Sequence, residues 1–270
     1  MHQSRSRISL HVKALMSRLL TLVSMLGAVG LSGCATVPAE VRPRTTLFAP
    51  RGIVFVADGA GGGEATSVAL HRALEEERVP LAVETFKWSH GYGRYFADQR
   101  DREYARQRGR ELATLVAAYR GSFPNNQIYL VAHSAGACVA LDAAEALPPG
   151  SIDGIALLSP SVAADRDLRP ALRAVRDSLD VFCSREDWFY LGIGTGFVGT
   201  VEGPFRDAAG RVGFRPRIES SEDTALYCKL RQHPWHRAVE WTGNQGGHYG
   251  GHADKYLRAY VVPLLSARCP

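Results

Sequence analysis

A run of five apolar residues at 128–132 leads directly into His133-Ser134-Ala135-Gly136, and residues 135–147 then carry a helical pattern stopped by Pro148, Pro149 and Gly150. This succession of buried strand, tight turn and helix constrains the chain more than any other feature. An unbroken apolar run belongs to a strand covered on both faces, and such strands sit in parallel sheets with crossover connections. The serine at the turn has Ala132 two residues before it and Gly136 two residues after it. Small flanks let the chain turn sharply enough to hold a hydroxyl at the C-terminal edge of the sheet, above a helix N-terminus. There the helix dipole and the amide of Ala135 can stabilise an oxyanion.

The same alternation extends along the chain. Strands are predicted at 53–57, 81–86, 128–132, 152–158, 179–183 and, weakly patterned, 239–241. Helices are predicted at 66–77, 100–120, 135–147, 168–178 and 254–265. Strand–helix alternation predicts an α/β fold with a mainly parallel sheet and helices on both faces. Residues 187–237 break the rhythm. They are rich in glycine (Gly192, Gly194, Gly196, Gly199, Gly203), and 211–217 reads as a short strand or hairpin. A long irregular stretch of this kind, an insertion at about 188–237, is expected to form a flap or rim near a site.

Charge locates a separate segment. The whole chain carries +5, but Arg5, Arg7, Lys13 and Arg18 lie within residues 1–33 with no acid among them, which leaves +1 for the remainder. The folded part therefore has no electrostatic case for binding nucleic acid. After the basic stretch comes an apolar run at 19–31, shorter than a membrane-spanning helix and suited to a signal peptide. Leu31-Ser32-Gly33-Cys34 follows and resembles the lipobox of bacterial lipoproteins. That resemblance implies cleavage before Cys34 and acylation of its sulfur. With Ala35 rather than Asp in the next position, it further implies residence at the periplasmic side of the outer membrane. The expected organisation is a leader at 1–33, a Pro-rich tether at 34–50 (Pro38, Pro43, Pro50) and a folded domain at 51–270. Export permits disulfides among Cys183, Cys228 and Cys269, while Cys138 falls in an apolar helical pattern and is expected to be buried.

Two further loops leave the same edge of the sheet. Asp58-Gly59-Ala60-Gly61-Gly62-Gly63 follows the first strand. Its glycines admit a phosphate-cradling reading, but no Gly-Lys-Ser/Thr follows, and Glu64 stands where a dinucleotide fingerprint needs glycine. Trp88, His90 and Tyr92 follow the second strand and are candidate lining residues of a substrate pocket. His233 and His236 match no strong metal-ligand spacing, so no metal is expected.

The elbow at 132–136, together with the strand–helix order over about 51–268, resembles the α/β-hydrolase superfamily in a compact form. Ala132 departs from the glycine of the usual G-x-S-x-G. The resemblance implies Ser134 as nucleophile, an acid after a later strand and a histidine before the last helix. Asp187 and His248 stand at those places. Glu186 and Asp180 remain alternatives for the acid, and His252 for the base. The loop at 58–63 then supplies a second oxyanion amide, from Ala60 or Gly59, with Asp58 where the family often has histidine. The implied activity is cleavage of an ester or related acyl bond through an acyl-enzyme, without cofactor. The reading from another class is a catalytically inactive hydrolase-like lipoprotein serving as an envelope binding or structural module. The sequence leaves substrate identity and oligomeric state open.

Overall fold

In the computed structural model, residues 51–187, 202 and 207–266 are described. The leader, the tether, Cys34, Cys269 and residues 188–201 and 203–206 of the insertion lie outside them. Six parallel strands form one sheet in the order β2-β1-β3-β4-β5-β6. They are β1 (Gly52–Ala57), β2 (Leu81–Thr85), β3 (Gln127–His133), β4 (Ile152–Leu158), β5 (Val175–Cys183) and β6 (Leu230–Pro234).

The unbroken apolar runs are explained by burial on both sides. Phe55 and Ala57 of β1, Ile128 and Leu130 of β3 and Leu157 of β4 point into one core layer. That layer is closed by α3 (Arg102–Ser122), α4 (Gly136–Glu145) and α5 (Arg169–Ala174). The intervening residues Val54, Val56, Tyr129, Val131 and Leu158 point into the other layer. There they meet α1 (Ala65–Glu76) and a closing helix, α8, built from Asp254–Tyr256, a π turn Leu257–Val261 and Val262–Ser266. The result is the predicted sheet with helices on both faces.

Helix α4 is buried from Gly136 to Ala144. Its small residues admit close neighbours: a Cβ on Gly109 of α3 would lie 2.5 Å from the Asp142 Cβ. Asp142 is the one acid on the buried stretch of α4, and it is forked between Arg166 Nη2 at 2.7 Å and the guanidinium of Arg102. Breaking such a buried pair would strand a charge. Cys138 sits one turn away, and burial followed by the Asp142 charge pushes its thiol up to about 12. It is therefore an inert core residue. Cys183 and Cys228 are free thiols as well, so the bridge considered between those two is not made.

Three expectations at the C-terminal end are corrected. The helix predicted to reach 178 ends at Ala174, because β5 starts at Val175 to pair with Ile152 of β4. The sixth strand is Leu230–Pro234, not 239–241, which lies in a 3-10 turn Arg237–Thr242 whose Val239 joins the core. The stretch at 211–217 forms no hairpin. It enters as the end of a short helix α6 (Ala209–Val212) and leads to a further helix α7 (Ser221–Tyr227) capped by the Ser220 hydroxyl on the Asp223 amide.

The chain leaves β1 toward β2 on one side and returns to β3 on the other, with Ala57 level with Ala132. The loops after β1 and β3 are thus side by side at the sheet's topological switch, where ligands bind in such folds. Contact between them is tight. A Cβ on Gly136 would lie 2.2 Å from the Ala57 carbonyl oxygen and 2.4 Å from that of Asp58. Gly136→Ala is expected to lower the folding free energy by about 1–3 kcal/mol, since backbone carbonyls cannot swing aside as a side chain can. A denaturant titration reads this as a lower midpoint at unchanged slope.

Candidate active site

Ser134 holds φ at +51°, one of three non-glycine residues in the left-handed region among the described residues. Its amide donates to the Leu158 carbonyl at 3.1 Å, and its carbonyl accepts from Ser161 at 2.9 Å. These bonds over-determine a conformation that an L-residue otherwise disfavours. They leave the side chain facing the loop that carries His248.

That loop is set by local sequence. Asn244 accepts the Gly246 amide on Oδ1 at 2.8 Å, and the Trp235 indole donates to the Asn244 carbonyl at 3.0 Å. Gly246 has φ +80°, and a Cβ there would lie 3.0 Å from the Trp235 ring and from Glu186 Cβ. His248 is thereby delivered with Nε2 at 2.9 Å from Ser134 Oγ and Nδ1 at 2.7 Å from Asp187 Oδ2. All three side chains are buried, and Asp187 lies four residues beyond the end of β5.

The alternatives are engaged elsewhere. Glu186 is exposed. Asp180 accepts from Ser178 Oγ at 2.6 Å and faces His233 Nε2 at 2.7 Å. His252 bonds through Nε2 to Thr66 Oγ1 at 3.1 Å. Burial, and then the neighbouring His248, lowers the His252 pKa to about 4. Among the described residues no group of three His, Cys, Asp or Glu side chains could hold a metal ion.

Sequence reasoning assigned no role to His133. Its Nε2–H donates to the His248 carbonyl at 3.1 Å, and its ring packs on His248 and His252 at centroid distances of 4.7 and 4.4 Å. Burial and the two neighbouring histidines hold its pKa well below 6.5, so it is a neutral donor. A Cβ on Gly59 would approach its Nδ1 to 3.0 Å, so the glycine there is required by close packing. The motif position alone carried no sign of these partners, which lie more than 70 residues away in sequence.

The loop after β1 is held from within and without. Asp58 is buried and caps α1, accepting from the Thr66 amide at 2.6 Å and from Ser67 Oγ at 2.5 Å. Burial raises its pKa, and these hydrogen bonds oppose the rise. No hydrogen bond is formed by the amides of Gly59, Ala60 or Ala135 among the described residues. The three residues expected at a pocket differ in their surroundings. Trp88 is buried, and its indole donates to the Asp58 carbonyl at 2.7 Å. His90 stacks on Tyr104 and faces Asp98, and Tyr92 is largely exposed. Trp88 and Tyr92 line a cavity of about 160 Å³ with Gly59, Gly62 and Lys87, but Ser134 and His248 do not line it.

The neutral histidines give the fold a pH dependence. An unfolded chain protonates His252 near pH 6.5, the folded protein only near 4, so between these values unfolding takes up a proton. Stability is complete above about pH 6.5 and declines as pH falls toward 4. His252→Gln is expected to flatten that decline relative to the parent, which chemical denaturation at stepped pH measures.

No protein-family model matches the sequence, and no curated protein matches it significantly. Solved structures similar to it include the poly(3-hydroxybutyrate) depolymerase LpqC from Bordetella parapertussis (TM-score 0.49, 13% identity, 84% of each chain covered). A lipase-esterase related protein from Clostridium acetobutylicum has TM-score 0.48 and 9% identity over 80% of this chain and 95% of that one. A Trichoderma reesei cutinase bound to a phosphonate inhibitor has TM-score 0.43 and 18% identity over 80% and 77%. These likenesses are distant, and the strand order and the elbow at Ser134 carry the fold assignment. The fold is a compact, six-stranded α/β-hydrolase fold.

Proposed function

We propose that this chain is a serine hydrolase that cleaves an ester or related acyl bond. The observation that carries the reading is the continuous hydrogen-bonded series from Ser134 Oγ through His248 to Asp187, with separations of 2.9 and 2.7 Å. In this reading His248 Nε2 takes the Ser134 proton as Oγ attacks the acyl carbonyl, and Asp187 keeps the imidazole in the tautomer that can accept it. The carbonyl oxygen becomes an oxyanion held by the amides of Ala135 and Ala60. Collapse breaks the acyl–oxygen bond, and His248 returns the proton to the departing alcohol. Water, deprotonated by the same histidine, then attacks the acyl-serine; the acyl–Oγ bond breaks, His248 returns the proton to Ser134 Oγ, and the acid is released. His133 supports the cycle indirectly, through its bond to the His248 backbone.

On the basic stretch, the apolar run and the lipobox-like residues up to Cys34, we further propose that the protein is exported to the bacterial envelope by residues 1–33 and held on the outer membrane by lipid on Cys34. Incorporation of labelled palmitate that Cys34→Ala abolishes is the expected result.

Turnover of short p-nitrophenyl esters tests the chemistry. Ser134→Ala is expected to lose about 10³-fold or more in kcat, and Asp187→Asn to lose about 10²–10⁴-fold with little change in KM. Ester turnover that is the same in the parent and in Ser134→Ala would refute the assignment and leave a binding module of hydrolase fold.

A further inference from the structure

Asp98 has no exposed surface and lies on the short helix α2 (Tyr95–Arg100), outside the serine–histidine–aspartate series. Its carboxylate accepts four hydrogen bonds. Oδ2 takes the Gly61 amide at 2.7 Å and the Ser89 hydroxyl at 2.6 Å. Oδ1 takes the His90 amide at 2.8 Å and faces His90 Nδ1 at 2.9 Å. Gly61 directly follows Ala60, whose amide is the second oxyanion donor in the proposed function. The Gly61 carbonyl is held too, by the Gly93 amide at 2.9 Å. At the other end of the same loop the Trp88 indole fixes the Asp58 carbonyl at 2.7 Å. All of these tethers come from residues 88–98, the segment that follows β2.

We infer that Asp98 is a positioning residue of the oxyanion site: it fixes the Gly61 amide and thereby aims the Ala60 N–H at the developing charge, with Trp88 bracing the start of the loop. The inference rests on the hydrolase reading. The physical case is preorganisation. A loop with three glycines in a row, two of them at φ +90° and +70°, has wide conformational freedom unless its backbone groups are pinned. An amide that must reorient during the reaction gives up much of its electrostatic advantage. A buried carboxylate is well suited to pin it, because it only accepts and can serve two backbone amides at once.

This makes Asp98→Asn informative. The substitution keeps size and shape, yet each carboxylate oxygen accepts from a backbone amide, and an amide cannot become an acceptor. One of the Gly61 and His90 amides must therefore face an Asn NH2 group, whichever way the side chain is turned. The readout is the ratio of kcat on a p-nitrophenyl ester to kcat on its thiono analogue, whose developing charge sits on sulfur and draws less from N–H donors. The parent is expected to favour the oxo ester. Asp98→Asn is expected to cut kcat on the oxo ester by about tenfold or more and to change KM and the thiono rate by less than about threefold. General loosening of the fold would instead lower both rates together. Should Asp98→Asn fail to fold, Trp88→Phe removes the bond at the other end of the loop and is expected to lower the same ratio by a smaller factor. A ratio equal to that of the parent, in an active and folded variant, overturns the inference alone. A parent without Ser134-dependent turnover overturns the hydrolase reading, and this inference with it.

Discussion

The left-handed backbone at Ser134 is the constraint on which the rest of the site depends. A residue at φ +51° between a strand and a helix is tolerable only if neighbours hold it there, and they do so from three sides. Leu158 of β4 accepts its amide, Ser161 donates to its carbonyl, and the carbonyls of Ala57 and Asp58 press so closely on Gly136 that no side chain fits. The last contact ties the turn to the loop after β1. The hydroxyl and the loop that faces it are therefore placed by one packing arrangement, set by the register of Ala57 with Ala132.

Around that turn the protein uses buried polar groups as spacers rather than as reactants. His133 is kept neutral by burial and by the neighbouring His252 and His248, and His252 by burial and by His248, so they carry hydrogen bonds without adding charge beside His248. Asp58 and Asp98 do the complementary work on the loop at 58–63, one capping α1 and the other gathering amides from two loops. Each of these groups is hydrogen-bonded to a neighbour. That is the condition under which buried polar residues define one geometry instead of weakening the core.

The parts of this arrangement that were legible in the sequence share one property: they are written in contiguous residues. The strands at 53–57, 128–132 and 152–158 show as apolar runs because both sheet faces are covered, and Ser134 shows through its small flanks. Asp187 and His248 are the exception: they are far apart in the chain, and they could be singled out because the α/β-hydrolase resemblance implies an acid after a late strand and a histidine before the last helix. β6 could not be seen. Leu230-Arg231-Gln232-His233-Pro234 pairs on one side only and has no buried face, so its pattern is polar, while the apolar Val239 nearby belongs to a turn that merely covers the core. The early start of β5 was hidden because pairing with Ile152, not propensity, decides it. Trp88 and His90 pointed to the correct edge of the sheet, but their hydrogen-bond partners could not be read. Their partners are backbone atoms and a carboxylate, and no spacing in the sequence records a bond to a carbonyl 30 residues away.

The central claim is that Ser134 is an activated nucleophile, and reaction with a fluorophosphonate reports on it most directly, since only an activated serine displaces fluoride at a useful rate. Mass spectrometry of the treated protein, followed by peptide mapping, locates the adduct. The account predicts a single phosphonyl group on Ser134 that forms slowly or not at all when His248 is replaced by glutamine. A folded protein that stays unmodified, or one that is modified at another residue, would contradict it.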